Sequence, residues 1–502
     1  MRNPDDQLDY LKPDSAPPSE AAAAGTVNAM RATGGSSSRP KAVSHFTPAE
    51  RIARGKAARR ELRRSAHGTW EAAPRRIDPV DLLEEQAQTR LPELGAIRYG
   101  RMLVSPFTFF RGAAYLMAAD LAHGPRTGLH AQLCGDAHLS NFGIFAAPDR
   151  RLVFSINDFD ETLPGPFEWD VKRLAASLAV AGRDRGYDEA VCRSVVLATA
   201  REYREAMARF AEMRNMDVWY TRLDVEGILT QLGGSASRKH LRRFQVNVAK
   251  VQTKDSMRAL AKLCRTVDGE LRIVGNPPLV TPIEDVLPSA DQDHLEDVVR
   301  RMIRTYRRTL PRDRRNLLEG YRYVHAARKV VGVGSVGARC WILLMVGRDH
   351  KDPLFLQFKE AQASVLEPFL GKSQYAQHGQ RVVEGQRMMQ AAPDLMLGWE
   401  RIVTIDDVHR DFYIRQLWDA KGSVDVELMD PPELEAYGRV CGWTLARAHA
   451  RSGDRIAIAA YLGRSNTFDR AMASFAETYA DQNQRDYRAL KQAAASGRIV
   501  AA

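Results

Sequence analysis

Hydrophobic and polar positions recur with two different periods along the chain, and the two periods predict two kinds of structure. A helical period covers residues 107–122, 169–213 and most of 240–330, with a proline-rich break at 277–288. Short apolar runs with the length and composition of buried strands lie at residues 151–156, 340–346, 354–359 and 411–417. The pattern therefore predicts a mixed α+β protein in which a mainly helical part precedes a small β-rich part.

Local signals mark where individual helices begin. Residues 47–50, Thr-Pro-Ala-Glu, combine a capping threonine, a proline suited to the first turn and a glutamate three residues after the cap. We therefore expect a helix from there to about Arg64 and a second short helix near residues 78–90. Later helices are predicted at residues 380–390 and 432–450, the second of which carries His449 near its end.

Composition shifts divide the chain into five segments. The start is rich in Ala, Gly, Ser and Pro, a composition that cannot bury a core and predicts disorder. The predicted segments are a disordered tail at 1–45, a basic helical segment at 46–100, a mainly helical lobe at 101–330, a small β-rich lobe at 331–425 and C-terminal helices at 426–502 that pack on the helical lobe.

The overall composition excludes several classes of protein. The 502 residues are 44% apolar and 27% charged, which rules out wholesale disorder. No apolar run approaches the roughly 18 residues that a membrane-spanning helix needs, and the polar first residues lack the apolar core of a secretory signal. The five cysteines are scattered without a C-x-x-C pair, so neither a zinc ribbon nor a disulfide framework is predicted. We therefore expect a soluble, cytoplasmic protein.

The positive charge is concentrated near the N-terminus. The formal net charge is +11, and residues 39–64 hold nine Lys and Arg against two Glu, which accounts for +7 of it. The rest of the chain is nearly balanced, and basic residues are not interleaved with aromatic ones. Nucleic-acid binding is therefore not predicted, and a solvated basic helix explains the excess better.

A polar loop at Asp136-x-His138-x-x-Asn141 has the residues that phosphoryl transfer to a hydroxyl requires. An Asp can accept the hydroxyl proton, and an Asn five residues later on the same loop can bind Mg²⁺ through oxygen. This spacing is that of the protein-kinase catalytic loop, and Gly135 before Asp136 with His138 after it resembles the aminoglycoside-phosphotransferase branch. That branch usually has a His before the Gly, where this chain has Cys134. The alternative is a polar turn closed on its own backbone.

A second acidic cluster follows the predicted strand at residues 151–156. Asp158, Asp160 and Glu161 crowd three carboxyl groups into four positions, where mutual repulsion favours a bound cation or basic partner. We predict that Asp158 and Asp160 bind Mg²⁺ together with Asn141. Asp170, at the start of the next helix, is expected only to cap that helix or to interact with its dipole.

A glycine-rich turn and a lysine complete the candidate site. Gly332-x-Gly334-Ser335-x-Gly337 allows backbone N–H groups to approach phosphates, and Lys359 on the second of the two following strands can pair with phosphate oxygens. In protein kinases a helix glutamate orients that lysine. The candidates for this glutamate are Glu384, which we favour, and Glu367.

Taken together, these motifs predict a protein-kinase-like two-lobe α+β fold that is circularly permuted. Kinases place the glycine loop and lysine before the catalytic loop, whereas here the Asp136 loop precedes Gly332 by nearly 200 residues. The helix ending at His449 resembles the segment that normally leads into the catalytic loop, which supports a permutation. The expected activity is ATP- and Mg²⁺-dependent transfer of a phosphoryl group to a hydroxyl acceptor, which the sequence does not identify.

Long motifs also resemble a widespread bacterial family. They include RMLVSPFTFFRGAAYLMAADLA, CGDAHLSNFG, FSINDFDETLPGPFEWDVKRLAASLAVAGR, VGVGSVGARCW, LQFKEA, RVVEGQRMMQ and FYIRQLWDAKGS. The chain is similar over about residues 47–490 to domain-of-unknown-function family 2252. The resemblance implies a bacterial protein but brings no activity, substrate or catalytic residue.

Two other functions fit parts of the sequence. Asp158-x-Asp160-x-Thr162 after a strand resembles the nucleophile motif of haloacid-dehalogenase-type phosphatases, with residues 406–407 (Asp-Asp) as the later acidic pair. That reading leaves the glycine turn, Lys359 and Asp136 unexplained. A non-catalytic, pseudokinase-like nucleotide-binding module is the other alternative. The sequence does not specify the oligomeric state.

Overall fold

The first described helix begins where the local signals predict. Thr47 caps the helix Pro48–Glu61 by accepting the backbone N–H of Glu50, whose side chain bonds back to the backbone N–H of Thr47. The helix ends at Glu61, three residues earlier than expected, and packs against the helix Arg455–Leu462 through its buried Gly55 and Ala58. One face of this basic segment is therefore buried against the C-terminal helices.

A computed structural model describes residues 45–228, 238–253, 255–267, 269–286, 292–404, 408–417, 422–423 and 425–502. Residues Phe46–Ala502 form one compact unit, and the predicted tail lies outside the described residues apart from its last position. The α-helices span Pro48–Glu61, Pro79–Ala87, Gly95–Met102, Pro106–Gly112, Ala114–Ala122, Glu168–Asp184, Glu189–Glu212, Asn215–Tyr220, Arg238–Gln252, Ser256–Leu263, Ile283–Val286, Gln292–Tyr306, Arg312–Glu319, Glu367–Leu370, His378–Met389, Pro431–Ser452, Arg455–Leu462 and Thr467–Ala495.

Fourteen named strands form antiparallel ladders in the described part of the chain. They are β1 (His130–Leu133), β2 (Phe142–Ala146), β3 (Leu152–Ile156), β4 (Leu163–Pro166), β5 (Leu223–Asp224), β6 (Cys264–Val267), β7 (Glu270–Ile273), β8 (Val280–Pro282), β9 (Arg322–Lys329), β10 (Cys340–Val346), β11 (Pro353–Ala361), β12 (Gly398–Val403), β13 (His409–Gln416) and β14 (Gly422–Ser423). The protein is thus a mixed helix-and-sheet fold with antiparallel sheets, as the hydrophobic pattern predicts.

The largest sheet begins earlier in the sequence than the pattern indicates. Its six strands lie in the order β12-β13-β11-β10-β9-β8, so β8 and β9 belong to it although they precede residue 331. The predicted boundary at 331 therefore falls inside one sheet. β9 reads as helix in the sequence because polar residues interrupt its apolar positions, while its pairing partner β10 is almost wholly buried.

Two predicted helices are each divided into two. The expected helix at residues 107–122 breaks at Ala113, which follows Gly112 and lies outside the helical backbone region. The long helical stretch from residue 169 becomes Glu168–Asp184 and Glu189–Glu212, and Asp188 caps the second helix. Apolar residues continue on both sides of each break, so the hydrophobic pattern alone does not reveal it.

Candidate functional site

Two short β ladders hold the predicted catalytic loop against the predicted metal-binding loop. β1 pairs with β4, with Leu133 opposite Leu163, and β2 pairs with β3, with Phe142 opposite Ile156. Residues 134–141 leave β1 and enter β2, while residues 157–162 leave β3 and enter β4. The registers of both ladders therefore fix the two loops side by side, which brings together motifs about twenty residues apart.

Gly135 allows the closest approach between these loops. Its φ is +81°, in the left-handed region that favours glycine, and a Cβ built there would lie 2.3 Å from the carbonyl oxygen of Glu161. A side chain at this position would therefore separate Asp136 from the acidic turn. Steric crowding thus explains why a glycine precedes the aspartate in this motif.

Asp136 is held by a buried guanidinium. The Nε of Arg173 donates to Oδ1 of Asp136 at 2.6 Å, and a second nitrogen of Arg173 donates to the carbonyl of Phe110 at 2.9 Å. Burial raises the pKa of Asp136 above its ordinary value, although Arg173 opposes that rise. A fixed carboxylate with a raised pKa is suited to accept a proton from a hydroxyl.

His138 and Asn141 support the same loop in different ways. The Nδ1 of buried His138 accepts the backbone N–H of Ser140 at 3.2 Å, and burial holds the pKa of His138 well below its ordinary value. The imidazole is therefore neutral near pH 7, with Nε2 lying 3.7 Å from Oδ2 of Asp136. The side-chain nitrogen of Asn141 donates to the backbone carbonyl of Asp136 at 2.8 Å, so its amide oxygen is the atom that a cation could use.

Lys359 lies beside the acidic turn, although 199 residues separate it from Asp160. Its ammonium donates to Oδ2 of Asp160 and lies 3.9 Å from Oδ2 of Asp158. Burial alone would lower the pKa of Lys359, but the two carboxylates outweigh burial and raise it. The lysine is therefore a permanently charged, buried partner of the predicted metal ligands.

Asp160 has two further partners from distant segments. The Tyr413 hydroxyl donates to Oδ1 of Asp160 at 2.8 Å, and the Ser335 hydroxyl donates to Oδ2 at 3.3 Å. Tyr413 faces Lys359 across the β11–β13 ladder, so one sheet delivers both groups. Burial would raise the pKa of Asp160, but Lys359 outweighs it and lowers that pKa to about 2.

The predicted pairing of Lys359 with Glu384 is wrong. Glu384 pairs instead with Arg387 one turn along its helix, at 3.0 Å. The weaker candidate, Glu367, lies 4.0 Å from Arg381 and likewise does not reach the lysine. Asp158 and Asp160 take the position expected of a helix glutamate, because the lysine side chain points toward the acidic turn.

The helix His378–Met389 contributes to the site through Arg381. The guanidinium of this buried residue donates to the carbonyls of Thr162 and Asp160, both at 2.7 Å, and of Gln362 at 2.8 Å. It therefore ties the acidic turn to the segment that follows β11. Sequence reasoning places this helix at the site but chooses the wrong residue on it.

The glycine-rich segment forms consecutive turns between β9 and β10. Arg101 donates to the carbonyl of Gly332, and Arg90 donates to the carbonyl of Val336 at 2.6 Å. Gly337 has a φ of +91°, and a Cβ there would lie 2.8 Å from Cβ of Arg90. Two arginines from the N-terminal helical region therefore hold these turns in place.

A cavity of about 550 Å³ collects most of the predicted residues. Its lining includes Asp136, His138, Asn141, Asp158, Asp160, Gly332, Gly334 and Ser335. Lys359 lies behind Asp160, Gly337 packs against Arg90, and Glu384 lies elsewhere. Residues from the first and second halves of the chain thus face the same space.

Asp170 has a larger role than the sequence indicates. Its carboxylate accepts the backbone N–H groups of Cys134 and Gly135 at 2.8 and 3.0 Å, and His449 Nε2 lies 3.2 Å from it. Tyr203 in turn bonds to Nδ1 of His449 at 2.9 Å. The acid fixes the entry to the Asp136 loop, a contact that only the folded chain reveals.

The donor atoms at the cavity suit a partly protein-bound cation. In the described part of the chain, no three His, Cys, Asp or Glu side chains are grouped so that they could hold a metal by themselves. Two carboxylates and one amide oxygen match Mg²⁺, which usually completes its shell with water and substrate phosphates. The Asp406–Asp407 pair of the phosphatase alternative lies outside the described residues.

The described fold and site define a mixed helix-and-sheet protein with an acidic cavity backed by a buried lysine. The chain belongs to the family described as an uncharacterised protein conserved in bacteria, DUF2252, whose model matches residues 90–493. The match begins later than residue 47, where the motif resemblance was expected to start. Neither a curated protein nor a solved structure matches the chain. None of the described helices is long and apolar enough to cross a membrane.

Proposed function

We propose that the protein is a kinase-like phosphotransferase that uses ATP and Mg²⁺ to phosphorylate a hydroxyl acceptor. The observation that carries this proposal is the placement of Asp136, Asn141, Asp158 and Asp160 around one cavity, with Lys359 paired to two of them. Phosphoryl transfer depends mainly on positioning and charge stabilisation, and these residues supply both.

Asp136 is the proposed proton acceptor. The acceptor hydroxyl oxygen forms a bond to the γ-phosphorus, and the bond from that phosphorus to the β–γ bridging oxygen breaks. Its electron pair leaves with ADP, and the hydroxyl proton passes to the Asp136 carboxylate. Arg173 holds Asp136 in the required orientation through the 2.6 Å bond to Oδ1.

Asn141, Asp158 and Asp160 are the proposed ligands of Mg²⁺, which would neutralise charge on the phosphates. Lys359 fixes Asp160 and adds a positive charge directly behind it. The lysine thereby orients a metal ligand, and its own orientation comes from that ligand and not from a helix glutamate. The turns at residues 332–337 are the proposed cover over the phosphates.

A permuted kinase-like arrangement of the chain is part of the proposal. Glycine-rich turns precede β10, Lys359 lies on β11, and a helix follows before β12, which is the order of a kinase small lobe. The helix Pro431–Ser452 carries His449 to Asp170, beside the start of the Asp136 loop. In a kinase chain, a helix of this kind comes before the catalytic loop, whereas here it comes after that loop in the sequence. The contacts bring the helix and the loop together in space, and this supports the permutation.

Nucleotide binding is the first test. We expect the full chain to bind magnesium-AMP-PNP by calorimetry and Asp158→Asn to weaken binding at least tenfold, because one metal ligand loses its charge. Asp313→Asn is the matched control, since Asp313 is exposed on the helix Arg312–Glu319. A correctly folded protein that ignores millimolar nucleotide would contradict the proposal.

Catalysis is tested separately by Asp136→Asn. This variant should lose a hundredfold to ten-thousandfold of ADP release from magnesium-ATP while keeping its affinity for AMP-PNP. Unchanged turnover would remove Asp136 from catalysis, and binding without turnover in the unaltered chain would identify a non-catalytic module. Hydrolysis of p-nitrophenyl phosphate without ATP, abolished by Asp158→Asn, would instead favour the dehalogenase-like phosphatase.

A further inference from the structure

Arg111 is placed at the junction of two cavities. It lies near the end of the helix Pro106–Gly112 and lines both the 550 Å³ cavity and a larger one of about 1,080 Å³. Ser140 lines the larger cavity, while its neighbour Asn141 lines the smaller. The two cavities therefore adjoin at Arg111, beside the Asp136 loop.

The guanidinium of Arg111 differs from those around it. Arg173 donates to Asp136, Arg90 to Val336 and Arg101 to Gly332. None of the described residues accepts a hydrogen bond from the Arg111 side chain. Its Nε is buried without a partner, as is that of Arg90, but Arg90 donates through another nitrogen and Arg111 does not. Such a group is costly to bury unless an anion meets it.

The surrounding charges do not explain the position of this arginine. Burial lowers the pKa of Arg111, while the carboxylates of Asp136 and Glu427 oppose that change from a distance. Asp136 already has a direct guanidinium partner in Arg173, at 2.6 Å. Arg111 thus remains a half-buried positive charge that faces the cavities and is not committed to a hydrogen bond within the described residues.

We propose that Arg111 forms a binding position for the phosphoryl group that is transferred between the two cavities. The inference rests on the proposed phosphotransferase function and adds a residue that would touch the reacting group. A planar guanidinium can donate two parallel hydrogen bonds to phosphoryl oxygens, which suits this residue better than a lysine.

The neighbours of Arg111 place this position between donor and acceptor. A Cβ on Gly334 would lie 3.3 Å from the Arg111 carbonyl, so the glycine-rich turns approach the arginine backbone directly. Asp136, the proposed proton acceptor, lines the same smaller cavity as Arg111. A nucleotide in the smaller cavity would therefore present its terminal phosphate at Arg111, and a hydroxyl compound would approach from the larger cavity.

The lining and the volume of the larger cavity indicate what kind of acceptor it would bind. Its wall combines aromatic side chains such as Phe107 and Phe244 with charged residues that pair with one another, including Arg243 with Glu433 at 3.0 Å. A volume of about 1,080 Å³ exceeds what a small alcohol needs. The expected acceptor is a bulky hydroxyl compound with an apolar part.

The test compares a nucleotide that carries the terminal phosphate with one that lacks it. In Arg111→Met, the Kd of magnesium-AMP-PNP should rise about tenfold to a hundredfold, whereas the Kd of magnesium-ADP should stay within about twofold. Arg111→Lys should recover only part of the loss because it keeps the charge but not the paired donors. Arg60→Met, on the exposed face of the helix Pro48–Glu61, is the matched control for net charge.

The outcomes separate this inference from the proposed function. If the unaltered chain binds AMP-PNP and Arg111→Met binds both nucleotides equally well, the Arg111 position is overturned while nucleotide binding stands. If the unaltered chain ignores both nucleotides but binds inorganic phosphate in an Arg111-dependent way, the anion position stands and the kinase proposal fails. Binding of neither nucleotide nor phosphate overturns both. Should Arg111→Met fail to fold, Arg111→Lys alone decides, since a lysine that restores full AMP-PNP affinity contradicts paired recognition.

Discussion

The two halves of the candidate site are held in different ways. In the carboxylate half, residues 134–162, buried side chains bind the loop backbone: Asp170 accepts two N–H groups, and Arg381 donates to two carbonyls of the acidic turn. In the glycine half, residues 332–337, Arg90 and Arg101 reach the turns from the N-terminal helical region.

This difference indicates which half is preorganised. A loop whose backbone groups are bound by buried charges keeps its geometry without a ligand, and such preorganisation is what charge stabilisation in catalysis requires. The glycine turns depend on fewer contacts, and one of them lies at the exposed surface. We therefore expect the carboxylate half to set the rate of chemistry and the glycine half to adjust to the nucleotide.

Removing the Asp170 carboxylate should have the largest effect on the carboxylate half of the site. Asp170→Ala leaves the N–H groups of Cys134 and Gly135 buried without acceptors, which costs about 2–5 kcal/mol of unfolding free energy. Urea unfolding should show this loss, and ADP release should decrease about a hundredfold because Asp136 moves. Glu189→Ala, at an exposed acid on the next helix, should change neither measurement. A stable Asp170→Ala protein with full turnover would show that this anchor is unnecessary.

Gly135 tests how closely the two loops must approach. Gly135→Ala combines a positive φ with a Cβ 2.3 Å from the Glu161 carbonyl, and we expect a loss of about 3 kcal/mol in unfolding free energy. Gly128 has a similar φ of +67° but open space around its Cβ position. Gly128→Ala should therefore cost only about 1 kcal/mol. Equal losses would attribute the requirement for glycine to backbone conformation alone.

Glu161 gives the carboxylate half a dependence on pH. Burial raises the pKa of Glu161 from its ordinary 4.5 to about 7, although the backbone N–H of Val365, at 2.7 Å, opposes the rise. Between those pH values the folded protein keeps a proton that the unfolded chain has released. Stability therefore falls as the pH rises from about 4.5 through 7, by about 2–3 kcal/mol.

The variant Glu161→Gln isolates that effect. Glutamine cannot ionise and still offers an oxygen to Val365, so its unfolding free energy at pH 8 should exceed that of the unaltered chain. The two proteins should converge at pH 4.5, as measured by urea unfolding across the range. The same pH profile for both proteins would mean that Glu161 does not titrate in this window.

The glycine half should show the smallest effect. Arg101→Met removes one donor to the Gly332 carbonyl, and we expect a loss of about 0.5–1.5 kcal/mol in unfolding free energy. The Kd of magnesium-AMP-PNP should increase a few-fold, with ADP release at saturation unchanged. If Arg101→Met lowered turnover more than Asp170→Ala does, the glycine half would be the more important for catalysis, and the expected contrast would be wrong.

Local signals in the sequence were sufficient for many elements. The capping box at Thr47 and Glu50 depends on neighbours three residues apart, and the helix begins as predicted. The strands around Leu343, Leu356 and Ile414 contain short apolar stretches whose length and β-branched and aromatic residues favour buried strands. The Asp136 loop and the acidic turn were predicted as neighbours because Asn141, Asp158 and Asp160 were expected to bind one Mg²⁺, whereas the strand His130–Leu133 before the Asp136 loop was not predicted.

Contacts between segments that are distant in the sequence could not be predicted from these local signals. Glu384 and Arg381 share one helix, and only the packing of that helix decides which of them faces the site. Asp170 resembles any acid in a first helical turn until the fold brings Cys134 to it. No sequence pattern pointed to Arg111. Its side chain is of interest because it lacks a hydrogen-bond partner among the described residues, and only the folded structure shows that.

The separation of 199 positions between Asp160 and Lys359 has a consequence for the growing chain on the ribosome. The acidic turn is synthesised long before the ammonium that neutralises it, and the Tyr413 hydroxyl follows later still. Until those strands emerge, the early loops carry uncompensated negative charge, so nascent chains that stop short of residue 359 should remain sensitive to protease. Two strands made late in synthesis, β11 and β13, therefore complete the part of the site that is made first.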